Sequence, residues 1–137
     1  MQQTLAIIKP DAVDRQLVGK IIKRIEEANL RIRAMRLIHL TKAEAECFYV
    51  IHTDKPFFES LTDFISSGPV AVLALEAPDA IERWRRLMGA TDPAKAHGGT
   101  LRREYGGSIE RNATHGSDAT ETAAFELNYF FPGIELR

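Results

Sequence analysis

Thr4-Leu5-Ala6-Ile7-Ile8-Lys9-Pro10-Asp11 opens the chain with a short apolar run that stops at a lysine and a proline. Consecutive apolar and β-branched residues of this kind are typical of a buried strand. Proline lacks a backbone N–H and ends such a strand. The first element is therefore predicted to be a buried strand over residues 4–8.

Regular patterns continue outward from this strand. Apolar residues recur at helical spacing from Leu17 to Ala28, which predicts an amphipathic helix ending near Asn29. Thr41 and Glu44 match a capping box, so a further helix is expected to begin there. The remaining patterns predict a half-exposed strand over 30–40, a helix over 57–65, a strand over 70–75, a helix over 78–88, a short strand leading to residue 115, a helix over 120–130 and an extended tail over 132–137.

This order of elements is a β-α-β-β-α-β pattern, which indicates an α+β fold. We expect a four-stranded antiparallel sheet with helices packed on one face. The sequence has no repeat, low-complexity segment or linker, so residues 1–137 are predicted to form a single domain. The irregular stretch 89–112 is long for a loop in a compact domain, and such loops tend to be functional.

Composition narrows the class of protein. The chain has 137 residues, 45% of them hydrophobic and 27% charged, which suits one globular domain. The formal net charge of −1 predicts no general attraction to nucleic acid or membrane surfaces. The N-terminal apolar run is too short for a signal core or a membrane span, so a cytoplasmic protein is expected.

The single cysteine and the four histidines show no metal-binding pattern. Cys47 has no partner for an intrachain disulfide, which favours a reducing compartment, and it is predicted to be a small packing residue. His39, His52, His97 and His115 lack paired spacing, which argues against a zinc site.

Asn112-Ala113-Thr114-His115-Gly116-Ser117-Asp118 places one histidine just before a helix start. Ser117 or Asp118 is expected to cap that helix, and Glu126 lies far enough along it to reach back to His115. An imidazole held by a carboxylate at one nitrogen can attack an electrophile with the other. A lone histidine before a helix is more often a capping or packing residue, so the alternative depends on the rest of the chain.

Several cationic and aromatic residues lie at the ends of predicted elements and would suit a polyphosphate. Lys9, Arg85 and Arg102 can bind phosphate oxygens, and Phe57 can stack on a base. Each also has a plainer interpretation, since Arg85 could lie on a solvated helix face and Phe57 could pack in the core. Neither glycine-rich phosphate-binding motif occurs, so phosphates would be held by side chains and a divalent cation.

Taken in order, these segments resemble the nucleoside diphosphate kinase family along nearly the whole chain. The resemblance rests on the segments 7–13, 48–49, 52 with 55–58, 67–70, 85–93, 99–102 and 112–118. It implies a ferredoxin-like sandwich and transfer of the terminal phosphate of ATP, or another nucleoside triphosphate, to a nucleoside diphosphate. The enzyme would work by a ping-pong mechanism and maintain the pools of nucleoside and deoxynucleoside triphosphates.

The resemblance also implies roles for individual residues. His115 corresponds to the phosphorylated histidine, Glu126 and Ser117 to the groups that orient it, and Lys9 to a catalytic contact. The nucleotide would be bound by Lys9, Tyr49, Phe57, Leu61, Arg85, Thr91, Arg102, Ile109 and Asn112, with Phe57, Leu61 and Ile109 on the base. Mg²⁺ would be bound mainly through the nucleotide phosphates, and no nucleic acid or membrane would be required.

Relatives of this kind assemble as homo-oligomers, so a tetramer or hexamer is implied, with the strand 30–34 as a candidate subunit contact. Two departures from the family pattern are Asp92, where many relatives have asparagine, and Gly98, which is expected to loosen the loop before Arg102.

Two rival classes share the fold pattern. An RNA-recognition module would need a basic, aromatic-rich strand motif, and none is present. A catalytically silent scaffold is disfavoured because His115, Glu126, Lys9, Arg102 and Asn112 occur together.

Overall fold

The computed structural model describes residues 1–136, and its elements follow the predicted order closely. The strands are β1 (Gln2–Ile8), β2 (Arg31–Ile38), β3 (Val70–Ala77) and β4 (Thr114–Gly116), and the helices are α1 (Pro10–Asp14), α2 (Val18–Glu27), α3 (Lys42–Phe48), α4 (Phe58–Ile65), α5 (Ala80–Met88), α6 (Leu101–Tyr105) and α7 (Thr120–Phe130). Three short 3₁₀ segments cover Val50–His52, Pro93–Lys95 and Gly133–Leu136.

The four strands form one antiparallel sheet in the order β2-β3-β1-β4. β1 lies between β3 and β4, so Ile7 is paired with Val72 on one side and with His115 on the other. The predicted α+β ferredoxin-like sandwich is confirmed. Its topology brings the start of the chain directly beside the predicted histidine motif.

The prediction that helices cover one face of the sheet is wrong. Ala6 and Ile8 point into a core shared with α2 and α5, whereas Leu5 and Ile7 point into a second core shared with α3, α4 and α7. The reason is visible in residues Leu5–Ile8 of β1 and in β3, where apolar residues follow one another instead of alternating with polar ones. A strand of that kind must be covered on both faces.

Two short helices and the packing of Cys47 differ from the predictions. α1 and α6 have five residues each, too few for an apolar repeat to identify them. The capping box of Thr41 and Glu44 is present, but α3 buries Ala45 and Phe48, which leaves Cys47 exposed.

The end of the described chain folds back on the domain. Residues Gly133–Leu136 form a 3₁₀ turn, and the Leu136 carbonyl accepts a hydrogen bond from Gln3 Nε2 at 2.7 Å. The predicted extended tail is therefore wrong over these residues, and Arg137 lies outside the described residues. Among residues 1–136, no helix is long and apolar enough to cross a membrane.

Candidate active site

The backbone of His115 is fixed by the pairing of an edge strand with the inner strand β1. It lies in β4, and its carbonyl accepts a hydrogen bond from the Trp84 indole N–H at 3.1 Å. The next residue, Gly116, packs so tightly that a Cβ there would lie 2.6 Å from the Trp84 ring and from the Met88 side chain. The position of the histidine is thus determined by the packing of α5 against β4.

The imidazole of His115 is oriented by the predicted carboxylate. His115 Nε2 lies 3.1 Å from Glu126 Oε1, and Ser117 Oγ donates to the same oxygen at 2.8 Å. Phe48 and Tyr49 contact the imidazole edge-on, with ring centroids 5.5 and 6.0 Å away. Because Nε2 is engaged by the carboxylate, Nδ1 is the nitrogen left for chemistry.

The prediction that Ser117 or Asp118 caps the last helix is wrong. Ser117 is fully buried, donates to Glu126 and accepts a hydrogen bond from the Leu5 N–H at 3.3 Å. The N-cap of α7 is Ala119, whose N–H donates to Thr122 Oγ1 at 3.0 Å, while Thr122 donates in turn to Asp118. Ser117 is unavailable for capping because the carboxylate behind His115 already binds its hydroxyl.

His115 opens into a cavity of about 440 Å³. Its wall is polar around Lys9, Arg102 and Asn112, here called the polar end, and apolar around Phe57, Leu61 and Ile109, here called the apolar end. Such a wall suits a ligand with both characters. The structure brings nine of the predicted site residues to its wall: Lys9, Tyr49, Phe57, Leu61, Thr91, Arg102, Ile109, Asn112 and His115. Glu126 and Ser117 lie behind His115, as described above.

Lys9 lies at the polar end of the cavity and is almost entirely buried. Its Nζ donates to Asn112 Oδ1 at 2.9 Å and lies 3.5 Å from the Glu110 carbonyl oxygen, while Asn112 Nδ2 donates to the Thr91 carbonyl at 3.0 Å. Burial and the neighbouring Arg102 lower the pKa of Lys9 from 10.5 to about 8. The lysine therefore remains mainly cationic near pH 7, but at an energetic cost.

Arg102 supplies a second, half-buried cation and lies on α6, within the stretch predicted to be irregular. Its two terminal nitrogens donate to the carbonyls of Gly89 and Thr114 at 3.0 and 2.9 Å, and its Nε is buried with no partner among the described residues. Burial and the nearby charge of Arg85 lower the pKa of Arg102 to about 10. Because Arg102 lines the cavity, the charge of its guanidinium would attract an anionic ligand there.

Arg85 is the one predicted nucleotide ligand that does not line the same cavity. It lines an adjoining cavity of about 660 Å³, which shares Thr91 and Arg102 with the first. Its guanidinium lies 3.4 Å from the Asp118 carbonyl oxygen. The two arginines thus flank the boundary between the cavities.

The apolar end of the cavity is open to solvent. Phe57 and Ile109 are 47% and 61% exposed although both are large and apolar. Together with Leu61 they offer a flat apolar surface to a ring. Tyr49 is buried deeper, and burial raises the pKa of its hydroxyl, so it remains a hydrogen-bond donor across the physiological range.

Two further residues line the cavity that the sequence did not single out for a role. His52 packs near Phe57, with ring centroids 5.6 Å apart, and its Nδ1 is buried without a partner among residues 1–136. Glu110 accepts a hydrogen bond from Ser60 Oγ at 2.5 Å. His52 lies within a segment that resembles the family, and this resemblance could have identified it as a cavity residue. Glu110 had no such signal, because its contact with Ser60 joins segments that are distant in the sequence.

The described part of the chain has no group of three or more His, Cys, Asp or Glu side chains that could hold a metal ion. The cavity presents Lys9 and Arg102, which bind anions. This donor set fits a divalent cation that arrives bound to the phosphates of a nucleotide.

Comparisons with known proteins agree with this geometry. A family model described as nucleoside diphosphate kinase matches residues 2–136. The chain is 59% identical over 136 residues to a nucleoside diphosphate kinase of Desulfovibrio desulfuricans, with 99% of this chain and 98% of that protein covered. A nucleoside diphosphate kinase of Geotalea uraniireducens is 56% identical over 136 residues, with 99% of each chain covered.

Solved structures give the same result. The fold matches the Aquifex aeolicus nucleoside diphosphate kinase with a TM-score of 0.96 at 38% identity, covering 98% of this chain and 97% of that one. A nucleoside diphosphate kinase family protein from Babesia bovis matches with a TM-score of 0.93 at 39% identity, covering 98% and 91% of the two chains.

Proposed function

The chain belongs to the nucleoside diphosphate kinase family, and from that premise we propose how its own residues transfer the phosphate. Enzymes of this family move the terminal phosphate of a nucleoside triphosphate to a nucleoside diphosphate by a ping-pong mechanism. The assignment of each step to a residue rests on one observation above all. His115 is held at Nε2 by Glu126, which leaves Nδ1 to face the cavity.

In the first half-reaction, His115 Nδ1 attacks the terminal phosphorus of ATP. A nitrogen–phosphorus bond forms, the bond to the bridging oxygen breaks, and ADP leaves. The proton on Nε2 stays hydrogen-bonded to Glu126, whose negative charge stabilises the positive charge that develops on the ring. In the second half-reaction, a terminal oxygen of the incoming diphosphate attacks the same phosphorus, and the imidazole is released.

Lys9 and the arginines neutralise the oxygens of the transferring group. Lys9, Tyr49, Thr91, Arg102 and, across the cavity boundary, Arg85 supply the donors. The charged guanidinium of Arg102, which lines the same cavity as His115, supports this role because it would attract phosphate oxygens. Loss of one preorganised contact of this kind is expected to cost roughly 2–4 kcal/mol at the transition state.

The sugar and base occupy the remainder of the cavity. Asn112 and Lys9, hydrogen-bonded to each other, bind the sugar hydroxyl, and Phe57, Leu61 and Ile109 contact the base. Stacking does not distinguish bases strongly, so Phe57→Ala is expected to raise KM similarly for GDP and CDP. An increase confined to one diphosphate would indicate recognition of base edges.

The family uses a divalent metal, and we propose that it is Mg²⁺ in this enzyme. It would reach the site on the phosphates and, when bound, would neutralise part of their charge. We further propose a cytoplasmic location and a homo-oligomer, either a tetramer or a hexamer. The open edge of β2 supports assembly into a homo-oligomer, because the outer side of this strand pairs with no other strand within residues 1–136.

Brief incubation with γ-labelled ATP and Mg²⁺, followed by a chase with GDP, tests the proposed function. The protein is expected to acquire acid-labile, alkali-stable label that His115→Ala abolishes and that the chase converts to labelled GTP. His52→Ala, which alters another histidine of the same cavity, and His97→Ala, which alters an exposed one, are the matched controls.

Both control variants should still take up label on His115. Label that survives in folded His115→Ala would place the nucleophile elsewhere. Labelled GTP formed without any labelled protein would exclude a covalent intermediate.

A further inference from the structure

Ala113 adopts a backbone conformation that residues other than glycine rarely adopt. Its φ is 76°, and it is completely buried between Asn112 and the strand that carries His115. The Thr114 N–H also donates to the Asn112 carbonyl at 2.9 Å, so Ala113 is the central residue of a γ-turn, a strained conformation at positive φ that persists only where neighbouring groups impose it. The neighbouring groups that impose it at residue 113 are identifiable.

Both polar groups of this residue are bound by the segment that follows β1. The Ala113 N–H donates to Asp11 Oδ2 at 3.1 Å, and the Ala113 carbonyl accepts from the Lys9 N–H at 2.8 Å. Asp11 lies in the first turn of α1 and does not line the cavity that contains His115. It therefore does not touch the reacting atoms, and it influences the reaction through its hydrogen bond to Ala113 and through its charge near Lys9.

The turn at residue 113 sets the direction of its neighbours on both sides. Before it, Asn112 meets Lys9 Nζ and the Thr91 carbonyl. After it, the chain enters β4, where His115 pairs with Ile7. A change of backbone conformation at residue 113 would therefore displace the sugar-binding amide relative to the nucleophile.

We propose that Asp11 is a positioning residue for phosphate transfer, which holds Ala113 in the γ-turn conformation and thereby aligns Asn112 with His115. The proposal rests on the proposed function, because it takes His115 as the nucleophile. Asp11 acts through a hydrogen bond to the backbone, so the test must separate alignment from general stability.

The negative charge of Asp11 has a second, separable effect. It counteracts burial and Arg102 by favouring protonated Lys9, and Glu110 acts in the same direction. Asparagine at position 11 keeps an oxygen that accepts the Ala113 N–H but removes the charge. Alanine removes both, so the two substitutions distinguish alignment from electrostatics.

The test compares kcat and KM of Asp11→Ala with those of Asp14→Ala, an exposed aspartate on the same short helix. Asp11→Ala is expected to lower kcat roughly 10- to 100-fold, as misalignment by about 1 Å does in other enzymes. The kcat of Asp14→Ala is expected to stay within about twofold of the wild-type value.

Two further variants test the mechanism. Adding Ala113→Gly to Asp11→Ala should raise kcat again by about tenfold, because glycine adopts positive φ without strain. Asp11→Asn should retain most of the activity near neutral pH, with the alkaline limb of its pH profile at lower pH.

Several outcomes would overturn the proposal. Equal kcat for Asp11→Ala and Asp14→Ala would do so, as would an activity loss that Ala113→Gly does not reduce. If Asp11→Ala does not fold, a folded double variant supports the proposal and an unfolded one overturns it. Failure of the wild-type enzyme to form label at His115 would refute the proposed function itself, because Asp11 does not enter that measurement.

Discussion

Lys9 is the residue at which stability and activity oppose each other most clearly. A pKa lowered from 10.5 to about 8 means that folding disfavours the protonated amine. Since each pKa unit corresponds to about 1.4 kcal/mol, the buried charge costs roughly 3 kcal/mol at neutral pH. The charge is retained at the polar end of the cavity, where the proposed phosphates would bind.

Replacing this lysine by methionine is expected to abolish phosphate transfer and to raise the free energy of unfolding by about 1 kcal/mol or more at pH 7. The difference in unfolding free energy between the methionine variant and the wild type should shrink between pH 8 and pH 10. In that range the unfolded lysine binds more protons than the folded one, so the wild-type stability contribution of Lys9 rises with pH. Urea unfolding of both proteins at several pH values measures the difference, with exposed Lys20→Met as the control. A difference that does not vary with pH would contradict the shifted pKa.

At the scale of elements, the packing of α5 against β4 determines how the nucleophile is held. Gly116→Ala would bring a Cβ within 2.6 Å of the rigid Trp84 ring. We expect β4 to shift, with a loss of about 1–3 kcal/mol in unfolding free energy and a lower kcat. Urea unfolding and steady-state kinetics would measure both effects.

Gly98→Ala is the matched control, because a Cβ there meets nothing within 4 Å and its φ is not positive. Its stability is expected to stay the same or to rise by about 0.4–1 kcal/mol. A gain would also support the prediction that Gly98 loosens the loop before Arg102. Equal destabilisation by the two alanines would mean that the Trp84 contact does not determine the position of β4.

A hydrogen bond joins the two segments that form the apolar end of the cavity. Ser60 on α4 precedes Leu61, and its partner Glu110 follows Ile109, so the 2.5 Å contact fixes the spacing of the two apolar side chains. Ser60→Ala is expected to raise KM for purine and pyrimidine diphosphates about two- to fivefold, in keeping with an exposed hydrogen bond to a charged group, and to leave kcat unchanged. Ser67→Ala is the control, since its hydroxyl bonds only to the nearby Phe64 carbonyl. Unchanged KM in Ser60→Ala would show that the spacing is set by packing alone.

For the whole molecule, the structure was predicted from patterns that involve residues close together in the sequence. The apolar run of β1 and the capping box of α3 act within a few residues, and both elements are present. The pairing of Lys9 with Asn112 has no such signal, because its residues meet only after the sheet forms. Resemblance to a family supplied that part of the site. It could not supply the Ser60–Glu110 contact or the support of Ala113 by Asp11, which depend on tertiary geometry.

Assembly also belongs to this scale, and the predicted subunit contact on residues 30–34 stays a prediction. β2 is an edge strand, and exposed Met35 and Leu37 continue its surface. Unpaired edges of this kind readily pair with another chain. Arg31→Glu is expected to lower the mass seen by size-exclusion chromatography with light scattering, whereas Lys20→Glu on α2 should not. An unchanged mass and thermal stability would remove the support for this contact.

The hydrogen bond between Lys9 and Asn112 spans 103 positions in the chain, and α7, which carries Glu126, begins later still. Loop closure over such a distance is entropically unfavourable and slow compared with local helix formation. A nascent chain on the ribosome can therefore have α2 formed while it still lacks every residue of the reaction centre that follows residue 111. Catalytic competence consequently arises only after α7 has been synthesised, and during refolding the recovery of turnover should lag behind the recovery of helical circular dichroism.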